Sequence, residues 1–153
     1  MSNFLVPMAK EKIAEQIATM LNDNNQLYRK HNSLSILGGI ADYFVEVAGN
    51  TASGEKVIGC VALEQEFTTL SKIKHLCVLP EYRRLGVARK LLNVAIQSCK
   101  TQNVYMTIRE DNKASLRLAS SLNFVFVKKD WSRDHNVITL GRSSKWQVRS
   151  TML

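Results

Sequence analysis

The sequence predicts an α/β or α+β fold: one domain, residues 1–153, with a central mixed and mostly antiparallel sheet flanked by helices. Three observations point there. Ala88, Leu91, Leu92, Ala95, Ile96 and Cys99 recur at i, i+3, i+4, i+7, i+8 and i+11, which is one apolar helical stripe. Strand-like runs bounded by turn residues lie on both sides of that stripe. The chain has 153 residues, 45% apolar and 22% charged, enough for a core without disulfide or metal staples.

Taken in order, residues 9–21 place Ile13, Ile17, Met20 and Leu21 on one helical face. A second helix is expected across Asn25–Ile36. Asp42–Ala48 reads as a strand, and Gly49–Gly54 as a turn rich in Gly, Ser, Asn and Thr. Lys56–Phe67 is the next strand. Leu70–Leu79 is a third, ended by Pro80, which cannot donate to a ladder. Beyond the central helix, Val104–Ile108 is a short strand. Asn112 is a good N-cap, with Ser115, Leu118, Ala119 and Leu122 forming the helical face behind it. Asn123 can take the left-handed conformation that ends a helix. Phe124–Val127 and Val137–Leu140 read as closing strands. Ser143–Leu153 is a basic tail, with Lys145 and Arg149 and no acid, expected to be loosely held. Helix, strands, helix, strand, helix, strands is the order of a mixed sheet with helices packed on it.

Composition excludes several classes. Cys60, Cys77 and Cys99 are odd in number and widely spaced, so neither a disulfide framework nor a zinc site is expected. Met1–Lys10 lacks the basic start and apolar run of a signal peptide. No stretch approaches the roughly 18 apolar residues of a membrane span. A cytoplasmic protein is the expectation, with no membrane partner. The net charge of +8 is unevenly placed: residues 1–71 hold five basic and eight acidic side chains, residues 72–153 sixteen and five. Such asymmetry suggests a polyanionic partner, either a nucleotide cofactor or a nucleic acid.

The informative stretch runs from the end of the third strand through Leu79-Pro80-Glu81-Tyr82-Arg83-Arg84-Leu85-Gly86-Val87-Ala88 into the helix. The first N–H groups of a helix lack internal partners and point together, and the helix dipole adds partial positive charge there. Gly86 and Ala88 leave room for a phosphate, and Arg83, Arg84 and Arg89 attract one. Arg84–Arg89 therefore reads either as a pyrophosphate cradle or as a tight turn with its arginines in solvent. The spacings of a P-loop or a dinucleotide fingerprint are absent.

Here the sequence resembles the GNAT acyltransferase family. Arg83, Gly86 and Ala88 match its Q/R-x-x-G-x-G/A motif for acetyl-CoA. Val78, Pro80, Tyr82 and Arg83 match the strand end before it, and Leu91-Leu92 the helix after it. A second block is matched in part by Asn112, Leu118 and Phe124, with Ser115 and Asn123 departing from it. The resemblance covers about residues 70–127. It implies that the strands Leu70–Leu79 and Val104–Ile108 splay apart and take the pantetheine arm in the gap. The backbone of Leu76, Cys77 and Val78 would bond the arm. The N–H groups of Arg84, Leu85, Gly86, Val87, Ala88 and Arg89 would take the pyrophosphate, with Arg83 beside them and Asn112 on the far side of the arm.

The departures concern proton transfer. Where many family members carry a tyrosine that protonates the leaving thiolate, this chain has Ala119. Where many carry Glu or His on the strand before the motif, ungapped counting gives Lys72 and Lys74. The candidate catalytic bases are then Glu64, or Glu66 beside it, and His75. Glu64 and Glu66 share a strand face by period two, so both face the cleft or both face away. His75 lies opposite Lys72 and Lys74 unless a bulge intervenes. Tyr105 could supply a hydroxyl, Cys77 could carry an acyl group, and Trp131 and Trp146 could roof an acceptor pocket; each is also an ordinary packing residue.

The resemblance implies an acetyl-CoA-dependent N-acetyltransferase in which a neutral primary amine attacks directly. The alternatives are a nucleic-acid-associated acyltransferase and a non-catalytic acyl-CoA-binding module. Lys72 and Lys74, as substrate-binding residues, would disfavour a polycationic acceptor and favour an amine on a neutral or anionic body, such as an amino acid or a peptide. The sequence leaves monomer and homodimer open.

Overall fold

The computed structural model describes residues 8–25, 29–51 and 54–144. The elements are α1 (Lys10–Asn24), α2 (Ser33–Gly38), β1 (Tyr43–Thr51), β2 (Gly54–Phe67), β3 (Leu70–Val78), α3 (Val87–Ser98), β4 (Asn103–Arg109), α4 (Lys113–Ser121), β5 (Val125–Ser132) and β6 (His135–Ser143). The strands form one six-stranded mixed sheet in the order β1-β2-β3-β4-β6-β5. β3 and β4 pair parallel at Leu70–Lys72, while β4–β6 and β5–β6 are antiparallel. The α/β class read from the sequence is the one observed. No helix among the described residues is long and apolar enough to cross a membrane.

Several expected boundaries moved. The second helix begins at Ser33 rather than Asn25, because Asn32 caps it: its Oδ1 accepts the Ser35 N–H at 2.8 Å. β1 runs on to Thr51, so most of the expected turn at Gly49–Gly54 is strand, and its middle lies outside the described residues. β5 continues five residues past Val127 because β6 supplies a ladder partner to each residue from Lys128 to Ser132. β6 in turn reaches Ser143, which pairs with Asn103; Lys145, Trp146 and Arg149 lie outside the described residues.

The chain divides into two compact units. One comprises residues 1–60 and 75–91, the other residues 61–74 and 92–153. In the first, α1 turns Ala14, Ile17, Ala18 and Leu21 inward at helical spacing. They pack with Ile36 of α2, Val57 and Cys60 of β2, and Cys77 of β3. Two polar side chains of α1 serve the backbone around this core. Gln16 Oε1 accepts the Val57 N–H at 2.8 Å, and Asn22 exchanges two 2.8 Å bonds with the backbone of His31. These satisfy groups whose burial without a partner would be costly.

In the second unit the inward faces supply Val61, Ile73, Leu92, Ala95, Val104, Met106, Ile108 and Leu140, all buried. Ser71 and Thr101 are buried polar residues, each 2% exposed, and their hydroxyls bond each other at 2.8 Å while Thr101 also donates to the Asn103 carbonyl. A buried pair whose hydrogen bonds are made is stable; removing one partner leaves the other to bear its desolvation.

Cys60, Cys77 and Cys99 are free and buried. Burial pushes the Cys77 thiol up to about 11, against a smaller downward pull from Arg83. Burial, helped by Cys77, pushes Cys60 higher still. A thiol raised this way stays neutral in the folded chain and ionises in the unfolded one. Stability is therefore fully present below about pH 9 and is lost as pH rises toward the folded values, by about 1.4 kcal/mol per pH unit for each such thiol. Urea midpoints measured from pH 8 to 11 are expected to fall, and the fall is expected to be shallower in Cys60→Ala. A slope unchanged by that substitution excludes Cys60 as a source.

Candidate active site

Three groups of sequence-selected residues have definite places. The first is the segment joining β3 to α3. Pro80–Tyr82 forms a 3-10 turn, closed by the Tyr82 N–H on the Leu79 carbonyl at 2.9 Å. Arg83 then folds back, its Nε donating to the Val78 carbonyl at 3.0 Å. Arg84 has φ 65° and Gly86 φ 82°, both left-handed. Lys90 N–H reaches the Gly86 carbonyl at 3.0 Å, so the helical ladder starts there and the amides of Val87, Ala88 and Arg89 precede its first internal bond. A turn of this kind opening a helix gathers N–H groups into a concavity suited to an anion. A Cβ placed on Gly86 would meet no heavy atom within 4 Å, so the space before the turn is open. Leu85 is 70% exposed, and Arg83, Arg84 and Arg89 are exposed as well.

Gly59, which the sequence reading passed over, sets how closely α3 lies on β2. A Cβ there would stand 2.9 Å from Leu91 Cδ1 and 3.0 Å from Val87 Cγ1. A glycine inside the apolar run Val57-Ile58-Gly59-Cys60-Val61 was the available signal, since such a glycine often marks a close approach.

The second group is a polar face in the unit of residues 61–74 and 92–153. Glu64 of β2 forms a close ion pair with Lys74 of β3. Glu66, two residues on, accepts the Tyr105 hydroxyl at 2.5 Å, and the Lys72 ammonium lies 5.8 Å from the centre of the Tyr105 ring. Glu64 and Glu66 thus share a face, as period two requires, and the lysines have partners on it. Burial first, then the bond to Glu66, pushes the Tyr105 phenol up to about 12.

The third group is centred on His75. Its φ of 58° interrupts β3, with Ser71 and Ile73 buried before it and Cys77 and Val78 buried after it. Its Nδ1 lies 2.6 Å from the Tyr43 hydroxyl, and its ring meets His31 edge-on at 4.6 Å between centres. Its carbonyl accepts the Cys60 thiol at 3.3 Å.

Asn112 caps α4, its Oδ1 accepting the Ser115 N–H at 3.2 Å. Ala119 is fully buried on α4 and presents no hydroxyl. Cys77 is 3% exposed and holds its thiol proton, which unsuits it to carry an acyl group. Trp131 is exposed on β5. Among the described residues no group of three or more His, Cys, Asp or Glu could hold a metal ion.

Residues 17–124 match the acetyltransferase (GNAT) family. The chain belongs to that family.

Solved structures share its fold. Ard1 from Thermoplasma volcanium is 20% identical, with a TM-score of 0.71 over 87% of this chain and 92% of that one. The NatC complex bound to Gag peptide and CoA contains a chain 16% identical, with a TM-score of 0.72 over 90% and 96%. The yncA protein from Salmonella typhimurium, solved with its cofactor acetyl-CoA, is 18% identical, with a TM-score of 0.70 over 90% and 92%. No curated protein sequence matches the chain. At these identities the likeness is one of fold, and the assignment to the GNAT acetyltransferases rests on the family match.

Proposed function

We propose that this chain transfers an acetyl group from acetyl-CoA to a primary amine. The observation that carries the reading is the left-handed turn Arg84–Gly86 opening α3, in a chain of the GNAT family. The amides of Arg84–Arg89 bind the pyrophosphate, with Arg84 and Arg89 adding charge. Arg83, bonded to Val78, holds the turn against the strand end, and the backbone of Leu76, Cys77 and Val78 is the place for the pantetheine arm. Bound there, acetyl-CoA supplies an activated thioester, and positioning an amine against it removes much of the barrier.

The chain's own task is to deliver the amine neutral. His75 is the first candidate base, because an imidazole can take a proton and the Tyr43 hydroxyl orients its ring. Glu64, in its ion pair with Lys74, is the second. Lys72 and Lys74 contribute to acceptor binding together with Glu64 and Glu66. These four charges balance, so the face suits a body that is neutral or of mixed sign, a peptide or amino acid above a polyamine. A neighbour of the same fold is bound to a peptide and CoA, which favours the peptide.

The test is release of the CoA thiol with amino acids, peptides, polyamines, aminoglycosides and tRNA as acceptors, followed from pH 6 to 10. Turnover is expected with a peptide or amino acid, at a rate that rises with pH. No falling limb is expected below pH 10, because the Tyr105 phenol keeps its proton to about 12 and Ala119 offers no hydroxyl. A falling limb that disappears in Tyr105→Phe would identify that tyrosine as an acid. Acetyl-CoA binding without turnover on any amine favours the non-catalytic module, for which buried Ala119 is the motive. Turnover confined to tRNA favours the nucleic-acid reading, whose motive is the basic second half of the chain.

A further inference from the structure

Among the described residues β5 is the last strand of the sheet, paired on one side with β6. Its outer edge is unusual in composition. Val125, Phe126 and Val127 are 64%, 62% and 57% exposed, and Trp131 is 68% exposed. Four large apolar side chains are thus exposed on one eight-residue strand. An edge of this kind is also an open template for pairing, and proteins commonly block it with lysines, bulges or both. This one carries both devices. Lys128 and Lys129 stand in its middle, and the register against β6 slips between Phe126 and Lys128, leaving Val127 as the extra residue.

We propose that these devices select rather than forbid a partner, and that the partner is a second copy of this chain adding antiparallel along β5. Lys128 and Asp130 lie two apart on one face, 3.2 Å between their charged atoms, with side chains 62% and 58% exposed. A two-fold axis through Lys129 sets Lys128 of each copy opposite Asp130 of the other. It also sets Val127 opposite Trp131, covering two of the exposed apolar residues. Opposite charges facing across a ladder are favourable, and like charges are not. Lys129 meets its own copy on the axis, but each is already paired with Glu110 at 2.5 Å.

The neighbouring registers are worse. An axis through Asp130 sets that acid against itself and Lys128 against Ser132. An axis through Lys128 sets that lysine against itself and Phe126 against Asp130. A parallel pair in register puts both lysines against themselves. The bulge limits the ladder to a short segment, and the two-fold closes it, so pairing stops at two copies. Both lysines and the bulge therefore argue against an unrelated apolar strand, while the Lys-Lys-Asp order suits its own reverse.

The experiment is sedimentation equilibrium on the full chain over a range of concentrations, with Lys128→Asp and Asp130→Lys made separately and then mixed. Both side chains are exposed and neither is in the core, and circular dichroism melts check that both variants fold. The wild type is expected to dimerise. Each single variant is expected to need at least tenfold more protein to do so, because both contacts across the axis become like-charged. The equimolar mixture is expected to recover wild-type association, because one copy then carries two acids at these positions and the other two bases. A wild type that stays monomeric at every concentration overturns the proposal, including the case in which another protein covers β5. So does a dimer that neither substitution weakens, or a mixture that remains monomeric.

Discussion

Gly86→Glu is expected to lower acetyl-CoA affinity by at least a hundredfold, about 2.7 kcal/mol, while the chain still unfolds in one cooperative step. Two effects combine. Gly86 sits at φ 82°, where a side chain is strained by about 1–3 kcal/mol. The new carboxylate also enters the open space before the turn, which the phosphates need, and repels them. Because a Cβ there meets no heavy atom within 4 Å, the folded chain has no internal clash to relieve. Gly86→Ala isolates the strain and is expected to show a smaller loss. Titration calorimetry of the three proteins with acetyl-CoA makes the measurement. Unchanged affinity in the glutamate variant would remove the cofactor site from this turn.

Gly59→Val acts on the same site from beneath. The added Cβ would stand 2.9 Å from Leu91 Cδ1 and 3.0 Å from Val87 Cγ1, and the Cys77 carbonyl is 3.4 Å away. Leu91 is 3% exposed and has little room to yield. Overpacking of this kind costs about 1–3 kcal/mol and more where the backbone must shift. Val87 and Leu91 lie in the first turns of α3, so relief of the clash displaces the helix start that carries the candidate anion site. Both the urea midpoint and the acetyl-CoA affinity are expected to fall. A valine variant with the wild-type midpoint would show that α3 does not lean on β2 as closely as these distances imply. A lower midpoint with unchanged affinity would show that the anion site does not depend on the placement of that helix.

Much of the fold was legible because it follows from local rules. The stripe from Ala88 to Cys99 placed α3 within one residue of Val87–Ser98, since a period of 3.6 over three turns admits one alignment. Asn112 caps α4 as its short polar side chain allows, and Asn123 takes φ 70° after it. Pro80 ends β3 where its missing N–H requires. Asn32 as a cap was equally local, and it sets the start of α2 at Ser33. The second half of β5 was not legible. Lys128-Lys129-Asp130 has no apolar alternation, and only the hydrogen bonds of β6 hold it extended.

By itself the sequence determined the class of fold, the helical and strand faces and the glycine turn before α3, because each depends on neighbours three or four residues away or on one glycine's freedom. Tertiary structure alone decided which functional side chains meet. Glu64 and Glu66 share a face by period two, but that Lys74 and Tyr105 would be their partners depends on which strands pair and in which register. His75 and Lys74 are adjacent in the chain, and His75 meets the Tyr43 hydroxyl while Lys74 meets Glu64. A period fixes the side of an element on which a residue stands; long-range pairing, which carries no short-range signature, fixes what stands opposite.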